Sequence, residues 1–332
     1  MFACFRLPLL AALALLFGPL GALAQEKVTL GSSVAFTQLP NRVGIDKGYF
    51  KEQGLDAELK IVPSGNDVIQ ALAGGSIDFG DSSHALFLAA VANNLPIVAI
   101  GLHSWGNVGK LVASTANANV TKLADLKGKR IGVQVGTGAY IVFMLALDRA
   151  GLKESDFVIS NVRVSDMPAA MQASGFDAVM AWEPQASRIT QSGLGKEVIS
   201  ASKFEELANT SYPFLILTTE KMIRERPAVV QKYLNGFGKA QRFILKDEKG
   251  AVDIYRKHLP PQAASTMSDD ELKFQIYSAS RYNRLVPNDT DLGDLRQFSE
   301  FMLRKNMLKT KPDLEKSVNL SFVRKAAATL GN

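Results

Sequence analysis

This sequence lacks the cysteines and histidines from which disulfides and metal centres are built. Its 332 residues include one cysteine, Cys4, and three histidines, His84, His103 and His258. A single cysteine excludes an internal disulfide, and because Cys4 lies in the signal peptide predicted below, the mature protein is expected to have no thiol for catalysis or metal binding. The histidines do not pair at a spacing of three or four residues, so we predict no metal site and no cofactor. Stability must then come from buried apolar area.

The chain also lacks a strong excess of charge of one sign. Its net charge is +6; residues 217–332 hold 21 Lys and Arg against 14 Asp and Glu, whereas residues 25–216 hold 16 against 18. The basic residues share helix faces with acids, as in the KDEK run over 246–249. Mixed faces of this kind are typical of solvated helices, so we predict no nucleic-acid partner.

Long hydrophobic runs are missing after the first 24 residues. Arg6 precedes an apolar stretch over 7–23 that Pro8 and Pro19 interrupt, and a small-x-small pattern ends at Ala24. A membrane-spanning helix needs about 20 unbroken apolar residues. These features predict a cleaved signal peptide over 1–24. Because no cysteine stands at the cut to carry a lipid anchor, we expect a soluble, monomeric mature protein in the periplasm.

Short apolar segments alternate with amphipathic helical patterns, which is typical of an α/β fold. The first series predicts strands over 28–32, 57–62, 77–80 and 96–102 and helices over 40–53, 67–73 and 84–93. Residues 111–114 either continue this first sheet or start a crossing. The second series predicts strands over 129–134, 157–162, 178–181 and 214–218 and helices over 139–150, 167–173 and 183–192. Helices over 228–245, 269–282, 292–305 and 321–330 follow.

The restart of the pattern predicts two doubly wound α/β domains joined by a hinge, the second inserted into the first. We assign residues 25–106 and 217–332 to lobe one and residues 107–216 to lobe two. The chain is expected to cross between the lobes near 104–109 and to return near 211–218.

Ligands in open α/β sheets lie beyond the carboxyl ends of strands, where helices begin with free backbone N–H groups and a partial positive charge. Four predicted loops meet this rule, over 32–38, 64–67, 81–84 and 136–140. They supply the candidate ligand-binding residues Phe36, Gln38, Asn66, Ser82, Ser83, His84, Gly136, Thr137, Gly138 and Tyr140. The alternative interpretation is that hydroxyl groups such as that of Thr137 only cap their own helices, and that His84 is an exposed loop histidine.

Three more candidates are Trp105, in the predicted crossing, and Trp182 and Glu183, after a strand of the second series. Each tryptophan is either core or a wall of the pocket. A carboxylate facing a closed cleft needs a partner, and a ligand amine would serve, although Glu183 is also explained as a helix N-terminal acid. No Lys or Arg lies within the candidate loops, and Lys110 only flanks them, which favours a zwitterion or an amine-bearing heterocycle over a naked anion.

Four motifs carry a family resemblance. They are DKGYFKEQGL over 46–55, SGND and ALAGGSIDFG over 64–67 and 71–80, LADLKGKRIG over 123–132, and DAVMAWEP over 177–184. In this order they resemble the exported solute-binding proteins of nitrate, sulfonate and taurine ABC importers, whose relatives bind thiamine-precursor pyrimidines. The resemblance implies a two-lobed periplasmic binding protein fold of type II that captures a small polar solute for a membrane permease and is not an enzyme.

Two other functions are compatible with this architecture. One is an enzyme of the kind that makes a thiamine pyrimidine, although a nucleophilic triad from the adjacent residues 81–84 is excluded because neighbouring side chains cannot line up in that way. The other is a binding protein that serves a sensor instead of a transporter.

Overall fold

Two mixed β-sheets of five strands each organise the fold. The computed structural model describes residues 25–33, 38–106, 109–117, 119–259 and 261–330. The predicted signal peptide and the candidate Phe36 lie outside the described residues. The strands are β1 (Glu26–Ser33), β2 (Leu55–Val62), β3 (Phe79–Ser83), β4 (Ile97–Trp105), β5 (Lys110–Ser114), β6 (Arg130–Val133), β7 (Val158–Asn161), β8 (Ala178–Ala181), β9 (Gly195–Ile199) and β10 (Pro213–Thr219).

The helices of the first two thirds cover the faces of these sheets. They are α1 (Leu39–Asp46), α2 (Tyr49–Glu52), α3 (Gly65–Ala73), α4 (His84–Ala92), α5 (Gly138–Arg149), α6 (Met167–Gln172), α7 (Gln185–Gln191) and α8 (Ala201–Ala208). The C-terminal third adds α9 (Glu220–Glu225), α10 (Pro227–Lys246), α11 (Glu248–Lys257), α12 (Pro261–Thr266), α13 (Asp269–Lys273), a π-helical turn (Phe274–Ala279), α14 (Asp289–Arg304), α15 (Leu314–Ser317) and α16 (Ser321–Leu330).

The two sheets share one topology. The first has the strand order β2-β1-β3-β10-β4 and the second the order β7-β6-β8-β5-β9. In each, three neighbouring strands are parallel, and a strand from elsewhere in the chain joins antiparallel: β10 between β3 and β4, and β5 between β8 and β9. The carboxyl ends of the parallel strands therefore lie on one edge of each sheet, where α3, α4 and α5 begin.

Helix α10 confirms the apolar face that its sequence predicts. Its buried side chains include Val229, Tyr233, Leu234, Phe237 and Ile244. The Tyr233 ring stacks on Phe79 of β3 at 4.1 Å and on Phe50 at 5.5 Å between centroids. Burial of large side chains at this spacing, about 1.5–3 kcal/mol each, fixes the helix against the first sheet.

Three predictions of local structure were wrong. The helix predicted over 40–53 is divided into α1 and α2 because Gly48 adopts φ +73°, a left-handed conformation that ends a helix. Strand β3 continues to Ser83, where a loop was predicted, because its polar residues pair antiparallel with β10. The helix predicted over 269–282 becomes α13 and the π-helical turn.

Strand β9 and helix α8 were not predicted. The sequence of β9, GKEVI, carries two charged residues and no clear alternation, and only its pairing with β5 makes it a strand. Helix α8 begins behind Ser200, whose hydroxyl accepts the backbone N–H of Lys203. No helix in the part of the chain that the structure describes is long and apolar enough to cross a bilayer.

Candidate functional site

The two sheets meet at the starts of two helices. Ser83 ends β3 and precedes α4, and Gly138 opens α5 after β6. A Cβ atom added to Gly138 would lie 2.1 Å from the Tyr212 hydroxyl oxygen and 2.9 Å from Ser83 Oγ. Ser83 Oγ is buried and forms no hydrogen bond within the part of the chain that the structure describes. Candidates from two predicted loops that are far apart in sequence, Ser83 and Gly138, are thus brought into one place.

His84 differs from the exposed loop histidine that the sequence left open as an alternative. Its side chain is fully buried, with Nδ1 3.2 Å from the carbonyl oxygen of Pro213 and its ring against Phe298 and Tyr212. Burial lowers the pKa of His84 to about 3, only partly offset by the carbonyl. The imidazole is therefore neutral at physiological pH, and Nδ1 carries the proton that bonds Pro213.

Thr137 and Ser82 are engaged by the fold. The Thr137 hydroxyl donates to Gln134 O at 2.7 Å and accepts the backbone N–H of Tyr140 at 3.3 Å, as the cap of α5. Ser82 Oγ is fully buried and donates to Gly65 O at 3.3 Å, which ties β3 to the start of α3. In this structure both hydroxyls act within the chain.

The other candidates from the predicted loops are spread around the helix starts. Gly136 is exposed with φ +79°, and the hydroxyl of the half-buried Tyr140 donates to Glu154 at 3.3 Å. Gln38 precedes α1, is buried, and accepts Arg42 Nε at 3.3 Å. Asn66 is exposed on the first turn of α3.

A buried polar network next to Ser83 was missed as a unit by sequence reasoning. Asp81 accepts a hydrogen bond from the Ser32 hydroxyl, which in turn accepts Asn41 Nδ2 at 3.3 Å. The Tyr233 hydroxyl donates to Asn41 Oδ1 at 3.2 Å, and burial, with the charge of Asp81, raises the pKa of Tyr233. Asp81 is 2% exposed. The network places a buried carboxylate where β1 and β3 end.

Glu183 has a cation beside it that the sequence placed only at the flank of the candidate loops. Lys110 Nζ lies 3.1 Å from Glu183 Oε1 and 2.8 Å from Glu197 Oε2, and 4.7 Å from the centre of the Phe274 ring. The Glu183 side chain is 1% exposed, and Oε2 accepts the backbone N–H of Ser187 at 3.2 Å. Burial alone would lower the pKa of Lys110, but the two carboxylates, Glu197 first, outweigh it and raise that pKa.

The two tryptophans take different positions. Trp182 is half-buried against the core, and its carbonyl accepts the N–H groups that start α7. The guanidinium groups of Arg281 and Arg284 lie over the Trp105 ring, at 4.2 and 4.4 Å from its centre, and Nε1 donates to Asn283 at 2.7 Å. Trp105 therefore anchors the segment before α14.

A cleft of about 470 Å³ opens between α7 and the segment of α12, α13 and the π-helical turn. Pro184, Ser187 and Arg188 line one side, and Asp270, Phe274 and Gln275 line the other. The ion pair of Glu183 and Lys110 lies beside this cleft, because Pro184, which follows Glu183, and Phe274, whose ring contacts Lys110, both line it. Within the described residues, no three His, Cys, Asp or Glu side chains are placed to hold a metal ion.

The family model described as "NMT1/THI5 like" matches residues 37–251. The chain belongs to this family. The match covers β2, β3, β6, β8 and β10 together with the starts of α3, α4 and α5. Every candidate residue predicted from the sequence lies within the match except Phe36, which stands immediately before it. The Phe274 segment and α14 follow the match in the sequence.

Relatives of this NMT1/THI5-like protein include binding proteins and an enzyme. A putative binding protein of Brucella abortus (strain 2308) is 28% identical, over 67% of this chain and 68% of the relative. A putative aliphatic sulfonates-binding protein of Escherichia coli K12 is 24% identical, over 69% and 76%. The 4-amino-5-hydroxymethyl-2-methylpyrimidine phosphate synthase of Candida albicans (strain WO-1) is 25% identical, over 71% and 72%.

Solved structures share the fold over about nine tenths of the chain. The periplasmic aliphatic sulphonate-binding protein SsuA of Escherichia coli superposes with a TM-score of 0.74 at 18% identity, covering 89% of this chain and 92% of SsuA. The periplasmic nitrate-binding protein NrtA of Synechocystis PCC 6803 gives 0.72 at 14%, covering 92% and 89%. The two-domain α/β architecture of a periplasmic binding protein, as predicted from the sequence, is confirmed.

Proposed function

We propose that this chain is the periplasmic solute-binding component of an ABC importer and captures a small sulfonate or taurine-like solute between two closing lobes. The observation that carries the proposal is the meeting of the two sheets at Gly138, next to the Tyr212 hydroxyl and to a buried Ser83 Oγ that forms no hydrogen bond within the described residues. Polar groups from both sheets converge there at the starts of α4 and α5, as capture of a polar solute from two sides requires.

We infer the division into lobes from the two sheets. We assign 25–106 and 217–332 to lobe one and 107–216 to lobe two, so that each lobe holds one sheet apart from β10, which crosses back at 213–219. The two crossings run side by side, since Gly106 N donates to Ser211 O at 2.9 Å. Two parallel connections of this kind form a hinge that bends about one axis.

Helix starts supply the attraction for an anionic group. The first N–H groups of α4 and α5 have no partner within the helix and carry about half a positive charge, which stabilises an oxyanion without a lysine. We assign the contacts to these N–H groups at Ser83, His84, Gly136 and Gly138 and to the Ser83 hydroxyl. Trp182 and Glu183 bound the pocket from lobe two.

The relatives and the export signal support the transport role. The sulfonate-binding and nitrate-binding proteins named above share the fold, and the predicted signal peptide over 1–24 directs the chain to the compartment where such proteins meet a membrane permease.

A pyrimidine with an amino group is the second candidate ligand. The Candida albicans relative acts on this chemistry by its name, and buried Asp81 offers a carboxylate to an amine. An enzymatic role is disfavoured by the site itself. The side chains of Asp81, Ser82 and His84 bond to Ser32, Gly65 and Pro213 respectively, so they form no nucleophile and base pair with one another.

A thermal-shift screen of residues 25–332 tests the proposal. The panel holds nitrate, ethanesulfonate, taurine, an aminopyrimidine and a carboxylic acid. A solute at about 100 times its dissociation constant adds about 2.7 kcal/mol to the free energy of unfolding, which raises Tm by several degrees. A rise with a sulfonate is the expected result. A rise with the aminopyrimidine alone selects the second candidate, and no rise with any sulfonate contradicts the first.

A further inference from the structure

The ammonium of Lys110 is enclosed by two acids and an aromatic ring. Nζ lies 2.8 Å from Glu197, 3.1 Å from Glu183 and 4.7 Å from the Phe274 ring centre, and the Lys110 side chain is 15% exposed. Acids combined with an aromatic face are the surroundings that proteins use to bind the ammonium of a ligand. In this chain a lysine of β5 already occupies them.

The charge of Glu183 is therefore balanced inside the chain. Its carboxylate is 1% exposed, with one oxygen accepting the Ser187 N–H and the other facing Lys110. A buried carboxylate without a counter-charge is strongly unfavourable, and removing one partner of a buried ion pair is strongly destabilising. A solute ammonium would gain access to Glu183 only by displacing Lys110. The lysine would then lose its ion pair with Glu183.

We propose that Lys110 sets the charge class of the solute by taking the place of a ligand ammonium beside Glu183. The inference rests on the proposed function and narrows it. The site then accepts anions that carry no amine, such as simple alkanesulfonates, and does not select taurine for its ammonium. The absence of basic residues from the candidate loops loses its weight as an argument for a zwitterion, because the cation comes from β5.

The proposal is tested by isothermal titration of ethanesulfonate and taurine, which differ by the ammonium group. In the wild-type protein ethanesulfonate is expected to bind at least as tightly as taurine. In Lys110→Met, Glu183 and Glu197 face the cleft without a cation, so the ratio of affinities should move at least tenfold in favour of taurine. An unchanged ratio in Lys110→Met overturns the inference.

Glu183→Gln supplies the second arm, because it keeps the lysine and the volume of the side chain. If Lys110, and not a ligand ammonium, is the partner of Glu183, the affinities for the two solutes change by the same factor, within about twofold. A loss of taurine affinity alone, tenfold or more, would mean that a ligand ammonium contacts Glu183 directly and would overturn the inference.

Folding is separated from recognition by a double variant and a surface control. Lys110→Met/Glu183→Gln leaves no unpaired charge at residue 183 and should recover stability lost in Lys110→Met while losing its preference for taurine. Lys239→Met removes a half-exposed lysine that pairs with Glu52 at 2.7 Å, and should leave the ratio of affinities unchanged. If the wild-type protein binds neither solute, the proposed function fails and the inference fails with it; a wild type that binds both leaves the variants to decide the inference alone.

Discussion

At the scale of single residues, Gly138 lies against Tyr212 and Ser83, where an element of the second sheet meets the first. A methyl group there would overlap the Tyr212 hydroxyl at 2.1 Å and crowd Ser83 Oγ at 2.9 Å. Tyr212 cannot easily retreat, since its ring is buried against His84 and Phe214 and its backbone has φ +50°, a strained value for a non-glycine residue. The absence of a side chain at 138 therefore permits the contact between the sheets.

Gly138→Ala is expected to reduce the free energy of unfolding by about 1–3 kcal/mol, the usual cost of overpacking, and to weaken every solute by a similar factor. Urea denaturation and titration of one bound solute measure the two effects. Tyr212→Phe in the same chain should recover part of both losses, because it removes the nearest atom and leaves Cζ at 3.0 Å.

Gly293→Ala in α14 is the matched control. An added Cβ there meets nothing within 4 Å, so stability should stay the same or rise by up to about 1 kcal/mol through helix propensity. If Gly138→Ala behaved like Gly293→Ala, the close contact between Gly138 and Tyr212 would matter neither for stability nor for solute affinity.

His84 is a residue whose burial has a consequence for pH. Its pKa is lowered to about 3 in the folded protein, against about 6.5 when unfolded, so the unfolded chain binds more protons between these values. Stability therefore falls as pH drops through this window. From pH 7 to pH 5 the wild type should lose about 2 kcal/mol on account of this side chain alone.

His84→Asn provides the comparison, because its amide can still donate to Pro213 O and does not titrate. The variant is expected to be less stable at pH 7 but to lose about 2 kcal/mol less than the wild type on going to pH 5. Urea denaturation of both proteins at the two pH values measures the difference, in which the shared carboxylates cancel. Parallel pH profiles would show that the folded protein tolerates a protonated His84.

At the scale of elements, the helix starts near the candidate site differ in whether a side chain caps them. Ser64 and Thr137 accept backbone N–H groups of α3 and α5, whereas Ser83, before α4, makes no side-chain cap. The sequence left open whether such hydroxyls cap helices or bind solute. The structure engages Thr137 as a cap and leaves the first N–H groups of α4 uncapped by Ser83.

Thr137→Val keeps the shape of the side chain and removes the hydroxyl. We expect it to reduce the free energy of unfolding by about 1 kcal/mol through the lost cap, with solute affinity changed by less than about threefold. Thr137→Ser retains the cap and should match the wild type in both. A tenfold loss of affinity in Thr137→Val at unchanged stability would instead mean that the hydroxyl contacts the solute.

At the scale of the whole molecule, the two sides of the cleft are held differently. Next to the crossings, Arg281 bonds Glu205 at 2.9 Å, and Ser211 bonds Asp294 through its backbone N–H at 2.7 Å. Across the cleft that lies beside Glu183, Gln191 of α7 donates to Glu271 of α13 at 2.5 Å. This last contact joins exposed side chains, and we expect it to break, together with the contact between Lys110 and the Phe274 ring, when the cleft opens at this side.

Cross-linking across the cleft tests this motion. Gln191→Cys/Glu271→Cys joined by a short bismaleimide should slow both association and dissociation of a solute at least tenfold, because the cleft cannot open. The protein with residues 1–24 removed has no other cysteine, so the reaction is specific. Stopped-flow fluorescence follows the rates.

The same double variant capped with N-ethylmaleimide is the control, and it should exchange solute at the rate of the unmodified protein to within about threefold. Equal rates for the cross-linked and capped proteins would place solute entry elsewhere on the molecule.

Local sequence predicted most elements, and the errors have local causes. Gly48 divides a helix, and the polar residues 81–83 were assigned to a loop although they extend β3. The candidate site was predicted as a set of helix starts, and Ser83 and Gly138 were brought together. Neither Tyr212 nor Lys110 was proposed as part of it, because their relevance depends on the strand partners of their segments.

The sequence by itself determined the alternation of strands and helices, the apolar face of α10 and the family motifs, since each depends on residues close together in the chain. Only the tertiary structure decided that β10 enters the first sheet between β3 and β4, which carries Tyr212 to Gly138. It alone paired Lys110 with Glu183, through the antiparallel register of β5 and β8 that sets Lys110 opposite Ala181. Such pairings depend on strand register, which residues far apart in sequence fix together when the sheets form.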